Sequence, residues 1–168
     1  MGLTKLSAFL PVAKSMLDLG PTWLDRYVRA VLGEALSNGL EAGIINGTGK
    51  DMPIGMNRQV GTGVVVTDGV YPLKDTVAVT KLDPVSYGTL LSGMAVGPNN
   101  KTRIVREVIL VVNPVDYLQK VMPATTIRGA DGTYVNNVLP FPTRIIESTQ
   151  VDVGKAIIGL GKRYFSGS

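Results

Sequence analysis

Gly47-Thr48-Gly49-Lys50 is the stretch of this chain that most resembles a site. Glycines beside a lysine can cradle a phosphate with backbone amides while the ammonium meets its charge. A phosphate loop needs four residues between its first glycine and the Gly-Lys pair, then a Ser or Thr, with a strand before and a helix after. Here Gly43 and Gly49 enclose five residues, Ile44 to Thr48, and Asp51 stands where the hydroxyl belongs. A carboxylate at that point repels phosphate. The residues ahead of the turn also carry helical periodicity, not that of a strand. The spacing therefore predicts a helix C-terminus, with Gly47 or Gly49 in the left-handed cap conformation and Pro53 blocking a restart. A nucleotide-binding enzyme acting through Gly47–Lys50 is kept as an alternative, to be rescued by ATP or GTP binding that Lys50→Ala abolishes.

Other chemistry is thin. The 168 residues include no cysteine and no histidine. Thiol chemistry, disulfides, zinc sites of the usual kind and Ser–His or Cys–His nucleophiles are excluded together. This is the strongest sequence argument against an enzyme, and neither a cofactor nor a metal site is predicted. Asn113 and Asp116 are polar enough to suggest a site, but a helix cap and a first-turn acid account for both. The net charge is +4 and scattered. Its densest basic cluster, Lys101, Arg103 and Arg106, is followed at once by Glu107 and lacks the interleaved aromatics of a nucleic-acid reader. Weak, sequence-independent contact with DNA is all it suggests.

The positioning elements read clearly in places. Pro21 follows Gly20, and Thr22 with Asp25 three residues on suggests a capping box with a shorter acid. Apolar residues then recur at Trp23, Leu24, Tyr27, Val28, Val31, Leu32, Ala35, Leu36, Leu40 and Ile44, a helical stripe. The spacing predicts a helix over 21–46, and about 25 residues would make a rod of roughly 37 Å. Gly33, Gly39 and Gly43 each cost about 1 kcal/mol relative to alanine there, a cost that close approach of neighbouring backbone would offset.

Upstream, Lys5–Asp18 alternates loosely, and Pro11 limits it to an edge strand or a break. Downstream, Gly61–Val66 and Thr76–Thr80 read as short strands. Asp83-Pro84 opens a helix to about Ala95, and Gly97–Thr102 is a loop. Arg106–Val112 is a strand buried on both faces, ended by Asn113-Pro114, which opens another helix. Strands at Ala124–Arg128 and Thr133–Leu139 flank a turn at Gly129–Gly132, and Pro140-Phe141-Pro142 is a stiff connector. Thr143–Ser148 and Lys155–Leu160 complete the strands. This order is α+β with a mixed sheet. With 45% hydrophobic residues the chain is one medium, apolar domain with room for an appendage. Its longest uncharged run, Pro84–Asn100, is broken by two prolines, three glycines and two asparagines, so no membrane span is predicted. No signal peptide is evident.

Four stretches, taken in order, resemble the tailed-bacteriophage major capsid proteins of the Hong Kong 97 type. They are IINGTGKDMPIG (Ile44–Gly55), VVNPVDYLQK (Val111–Lys120), GADGTYVNN with LPFPTRIIEST (Gly129–Thr149), and VDVGKAIIGLGKRYF (Val151–Phe165). The resemblance spans Leu3 to Phe165. It implies a phage major capsid fold, with a long spine helix plus an axial domain whose mixed central β-sheet is flanked by helices. Residues 1–50 would belong to the peripheral domain, 51–165 to the axial domain, and 166–168 would be a linker scar.

Function would then be assembly, with pentamers and hexamers closing an icosahedral shell around double-stranded DNA. The implied partners are other copies of the chain, enclosed DNA in weak contact, and scaffolding or portal proteins. The implied location is the virion, assembled in the bacterial cytoplasm. The family carries an N-terminal arm, an extended loop and a final peripheral strand that find no counterpart here. The expectation is a fragment that folds but does not close shells. An encapsulin-like compartment shell is the related alternative. Candidate subunit-interface residues are Trp23, Tyr27, Val31, Lys50, Gly129 and Asp131, each with a plain alternative in core packing, a solvated charge or an ordinary hairpin turn.

Overall fold

The computed structural model describes residues 6–15, 20–97 and 100–163. It divides into two compact units, Met1–Leu73 and Lys74–Ser168.

The first unit is built on α1, Pro21–Asn46, whose bounds are those the periodicity predicts. Its start differs from expectation. Gly20, at φ +91°, is the N-cap and no side chain caps the helix, so Thr22 already lies inside the first turn. Asp25 instead pairs with Arg29 one turn on, at 2.9 Å, an exposed i,i+4 contact. A Cβ at Gly39 would meet the tip of the Leu6 side chain at 2.8 Å, one at Gly43 would make ordinary contact with the Pro53 ring at 3.4 Å, and Gly33 faces open space. The neighbours at Gly39 and Gly43 are side chains, not the close approach of backbone expected.

The carboxyl end of α1 is closed by the chain returning on it. Gly55 N–H donates to Gly47 O (2.8 Å), Met56 N–H to Ile44 O (2.8 Å) and Asn57 N–H to Ile45 O (3.4 Å). The Arg58 guanidinium then bonds Asn46 O (3.2 Å) and Tyr71 O (3.0 Å). The last carbonyls of a helix have no partner within it, and here a single segment supplies them. Gly47 is the C-cap but at φ −51°, not left-handed as expected. Glycine is needed there for closeness: a Cβ would stand 2.0 Å from Pro53 O and 2.4 Å from Gly43 O. Gly49, at φ +89°, does occupy the left-handed region.

The second unit centres on β1, Val108–Val112, in a three-stranded sheet of order β4-β1-β5. β4 (Thr143–Glu147) runs parallel to β1, and β5 (Ala156–Gly159) runs antiparallel. The predicted mixed sheet is present. Leu110 faces Ile145 on one side and Ile158 on the other, forming one core layer. α2, Pro84–Met94, is capped by Asp83, whose carboxylate accepts from Ser86 N–H at 2.7 Å. It packs Tyr87 and Leu91 against Val108, while Val121 packs against Leu110 and Val112.

Asn113 caps the next helix through Val115 N–H (3.0 Å). That helix runs as α3 (Pro114–Asp116), a π turn (Tyr117–Val121) and α4 (Met122–Thr125). Pro123 has no N–H, and its ring crowds the carbonyl four residues back. The wider turn, closed by Met122 N–H to Tyr117 O, precedes it and relieves that crowding. β2 (Ile127–Arg128) and β3 (Tyr134–Val135) form a hairpin shorter than predicted, because Ala124 and Thr125 belong to α4.

Two strand expectations fail: Gly61–Val66 and Thr76–Thr80 form no strand. Val65 and Val77 are 78% and 72% exposed. A β-branched run becomes a strand only with a partner to pair and pack against, and in this segment only isolated bridges at Arg58–Leu73 and Thr67–Val70 form. Of Lys5–Asp18, expected as an edge strand or a break, residues 6–13 are irregular, in keeping with the break. Residues 14–15 form a short 3-10 turn, and Lys5, residues 16–18 and 166–168 lie outside those described.

Candidate functional site

The Gly47–Lys50 turn lies at the carboxyl end of α1, where the helix presents carbonyls and the negative end of its dipole. Gly47 N–H is committed to Gly43 O (3.0 Å) and Lys50 N–H to Thr48 Oγ1 (3.3 Å). Both features oppose a phosphate. Lys50 is exposed, with Gly69 beside its aliphatic stem.

Trp23 and Tyr27 stack one turn apart on α1, ring centroids 5.2 Å apart and planes 6° from parallel. Trp23 is 40% exposed, and Tyr27 and Val31 are half-buried. Ile45 is the buried residue of the whole helix. An apolar stripe that long, with Leu36 and Leu40 also exposed, is half covered within its own chain.

The hairpin turn is closed by its own hydrogen bonds. Gly129 N–H donates to Thr133 O (2.8 Å) and Gly132, at φ +84°, returns its N–H to Gly129 O (3.0 Å). Asp131 Oδ1 accepts from Thr133 Oγ1 (2.7 Å) and N–H (3.1 Å), which holds its carboxyl below the usual range. Its base is tied to the preceding helix: Val138 N–H to Thr125 O (2.9 Å), and Tyr117 OH to Asn137 Oδ1 (3.0 Å). Tyr134 projects, 68% exposed, with the Arg128 guanidinium 6.0 Å from its ring centre. The candidates thus fall in separate places: Trp23, Tyr27 and Val31 on one helix, Lys50 at its end, and Gly129 with Asp131 on the hairpin.

The other perturbed groups are bonded into the fold. Asp83 is lowered by its bond from Ser86 N–H, and Asp116 by Lys120 and then Gly154 N–H. Burial pushes the Tyr87 phenol up, partly offset by its 2.6 Å bond with Thr143 Oγ1. Among the described residues no group of three His, Cys, Asp or Glu could hold a metal. Sequence reasoning missed Arg58, whose role depends on a chain reversal it could not see. It also missed the open recess at one end of the sheet lined by Arg106, Glu107, Pro142, Thr143, Arg144 and Lys162.

The candidates thus lie on an exposed apolar helix face and an exposed, hydrogen-bonded hairpin, while the perturbed acids are bonded into the fold. Residues 1–116 match the profile of the phage capsid family, and the chain belongs to that family. It is a structural viral capsid protein of the virion. No curated protein and no solved structure gives a match. Among the described residues no helix is long and apolar enough to cross a membrane.

Proposed function

We propose that this chain belongs to a major capsid subunit of the Hong Kong 97 type, a protein that assembles as pentamers and hexamers into an icosahedral shell around double-stranded DNA. The observation that carries this reading is α1. A helix of 26 residues with one buried side chain is a strut whose apolar stripe gains cover when neighbouring subunits meet, and subunit contact is the work of a capsid family. Residues 1–50 then form part of the peripheral domain and 51–165 the axial domain. The compact units divide at Leu73–Lys74, so the segment that caps the helix travels with it. Trp23, Tyr27, Val31, Lys50, Gly129 and Asp131 are the proposed contact residues.

Cryo-electron microscopy and mass spectrometry of purified virions test this. The chain should be the most abundant head protein and its density should repeat around five- and six-fold axes. A minor component, or one confined to the tail, would overturn it.

A further inference from the structure

The sheet topology gathers cations at one end. β1 and β4 run parallel, so Arg106, two residues before β1, and Arg144, near the start of β4, lie at the same end. β5 runs the other way, so Lys162, in the 3-10 turn just after it (Gly161–Arg163), arrives there too. All three line one open recess with Glu107, Pro142 and Thr143. The single acid is partly neutralised by Lys162 at 3.6 Å. Arg106, Arg144 and Lys162 are exposed, so among the described residues the recess lining carries an excess of two positive charges at little desolvation cost.

We propose that this recess is a phosphodiester-binding site that contacts the nucleic-acid backbone without reading sequence. Two arginine forks suit phosphate oxygens better than a point charge would. Among the described residues no aromatic ring lines the recess, so those residues offer bases nothing to stack on, and its openness suits an extended polyanion. The choice of DNA over an acidic protein segment rests on the shell reading above. The sequence pointed to Lys101, Arg103 and Arg106 as the basic cluster. The fold replaces that grouping, because Arg103 turns its Nε–H to Met94 O (2.6 Å) while Arg144 and Lys162 join Arg106 from distant positions.

The test is fluorescence anisotropy of the 168-residue chain with a labelled mixed-sequence DNA duplex over a salt series. Each phosphate neutralised contributes about −0.9 to the slope of log K against log salt. The slope should be about −2 to −3, and Arg106→Gln with Arg144→Gln should reduce its magnitude by about 2. A control pair, Arg26→Gln with Lys81→Gln, removes equal charge elsewhere and should leave most of the slope; melting curves confirm that both pairs fold. Equal loss in the two pairs would overturn the site in favour of diffuse charge. So would failure to bind duplex while a polyglutamate peptide binds. Virions with the chain in five- and six-fold rings and no slope change in the recess pair would sink the recess but not the shell. The converse would sink the shell alone.

Discussion

The Asp116 carboxylate accepts the Gly154 backbone N–H at 2.5 Å while its other oxygen meets the Lys120 ammonium at 2.5 Å. Gly154 is 38 residues away in sequence, so one buried acid fastens the β4–β5 loop to the start of a helix. Asn113 doubles the fastening, donating its Nδ2–H to Val151 O at 2.8 Å.

Acid should loosen this fastening. The Lys120 and Gly154 contacts hold Asp116 below its ordinary value of 3.8. A carboxylate with a lowered folded value adds stability that is complete above the unfolded value and is lost as pH falls through the folded one. Protection from hydrogen exchange at 150–155, taken relative to the intrinsic rate at each pH, should therefore fall below about pH 4. Asp116→Asn should show quick exchange already at neutral pH and a flatter acid limb. An unchanged exchange rate in the variant would deny Asp116 this role.

Asn113→Ala removes the helix cap and the Val151 bond together, at about 1–2 kcal/mol. Asn113→Asp keeps the cap acceptor and loses the donor to Val151 O. Urea unfolding should place it between wild type and alanine, with the loop amides exchanging faster than the helix amides.

Glycine to alanine should have opposite signs at two places on the same helix. Gly47→Ala drives a Cβ into Pro53 O and should cost about 3 kcal/mol or more. Gly33→Ala meets nothing within 4 Å and should gain about 1 kcal/mol of helix stability. Circular dichroism melts of the two variants check both.

Much of this could be read locally, and the reason is punctuation. Pro21 and the Gly47 stop bound α1, Asp83-Pro84 and Asn113-Pro114 open their helices, and the apolar run before Asn113 becomes β1. What needed distant partners was hidden. The valines of 61–66 and 76–80 have strand composition but no ladder. Arg58 is an ordinary surface residue until the chain turns back on Asn46. Of the candidate contact residues, Asp131 was legible as part of a tight turn, whereas the convergence of Arg106, Arg144 and Lys162 depends on strand direction.

Arg58→Ala should cost about 1.5–3 kcal/mol, because two carbonyls, Asn46 O and Tyr71 O, lose a charged donor together. Arg58→Lys can satisfy only one of them well. Thermal melts should rank wild type above lysine and lysine above alanine.

The single tryptophan offers a direct reading of assembly. Trp23 is partly exposed in the lone chain, so its emission should shift to shorter wavelength when subunits associate. Trp23→Ala should weaken association more than it lowers the melting temperature of the separate chain. The reverse ranking would return Trp23 to an ordinary packing role.

The π turn at Tyr117–Val121 makes the helix that carries it intolerant of changes in length. Each residue of an α-helix advances the chain by about 100° around its axis. Deleting one residue between Leu118 and Lys120 would tighten the turn into ordinary α-helix and swing everything before it by about that angle. Asn113 and Asp116 would then point away from Val151 and Gly154, while Val121 stayed over Leu110 and Val112. The bulge acts as a phase setting, and natural variants of this chain should keep the residue count between Asp116 and Val121 fixed even where the side chains between them change.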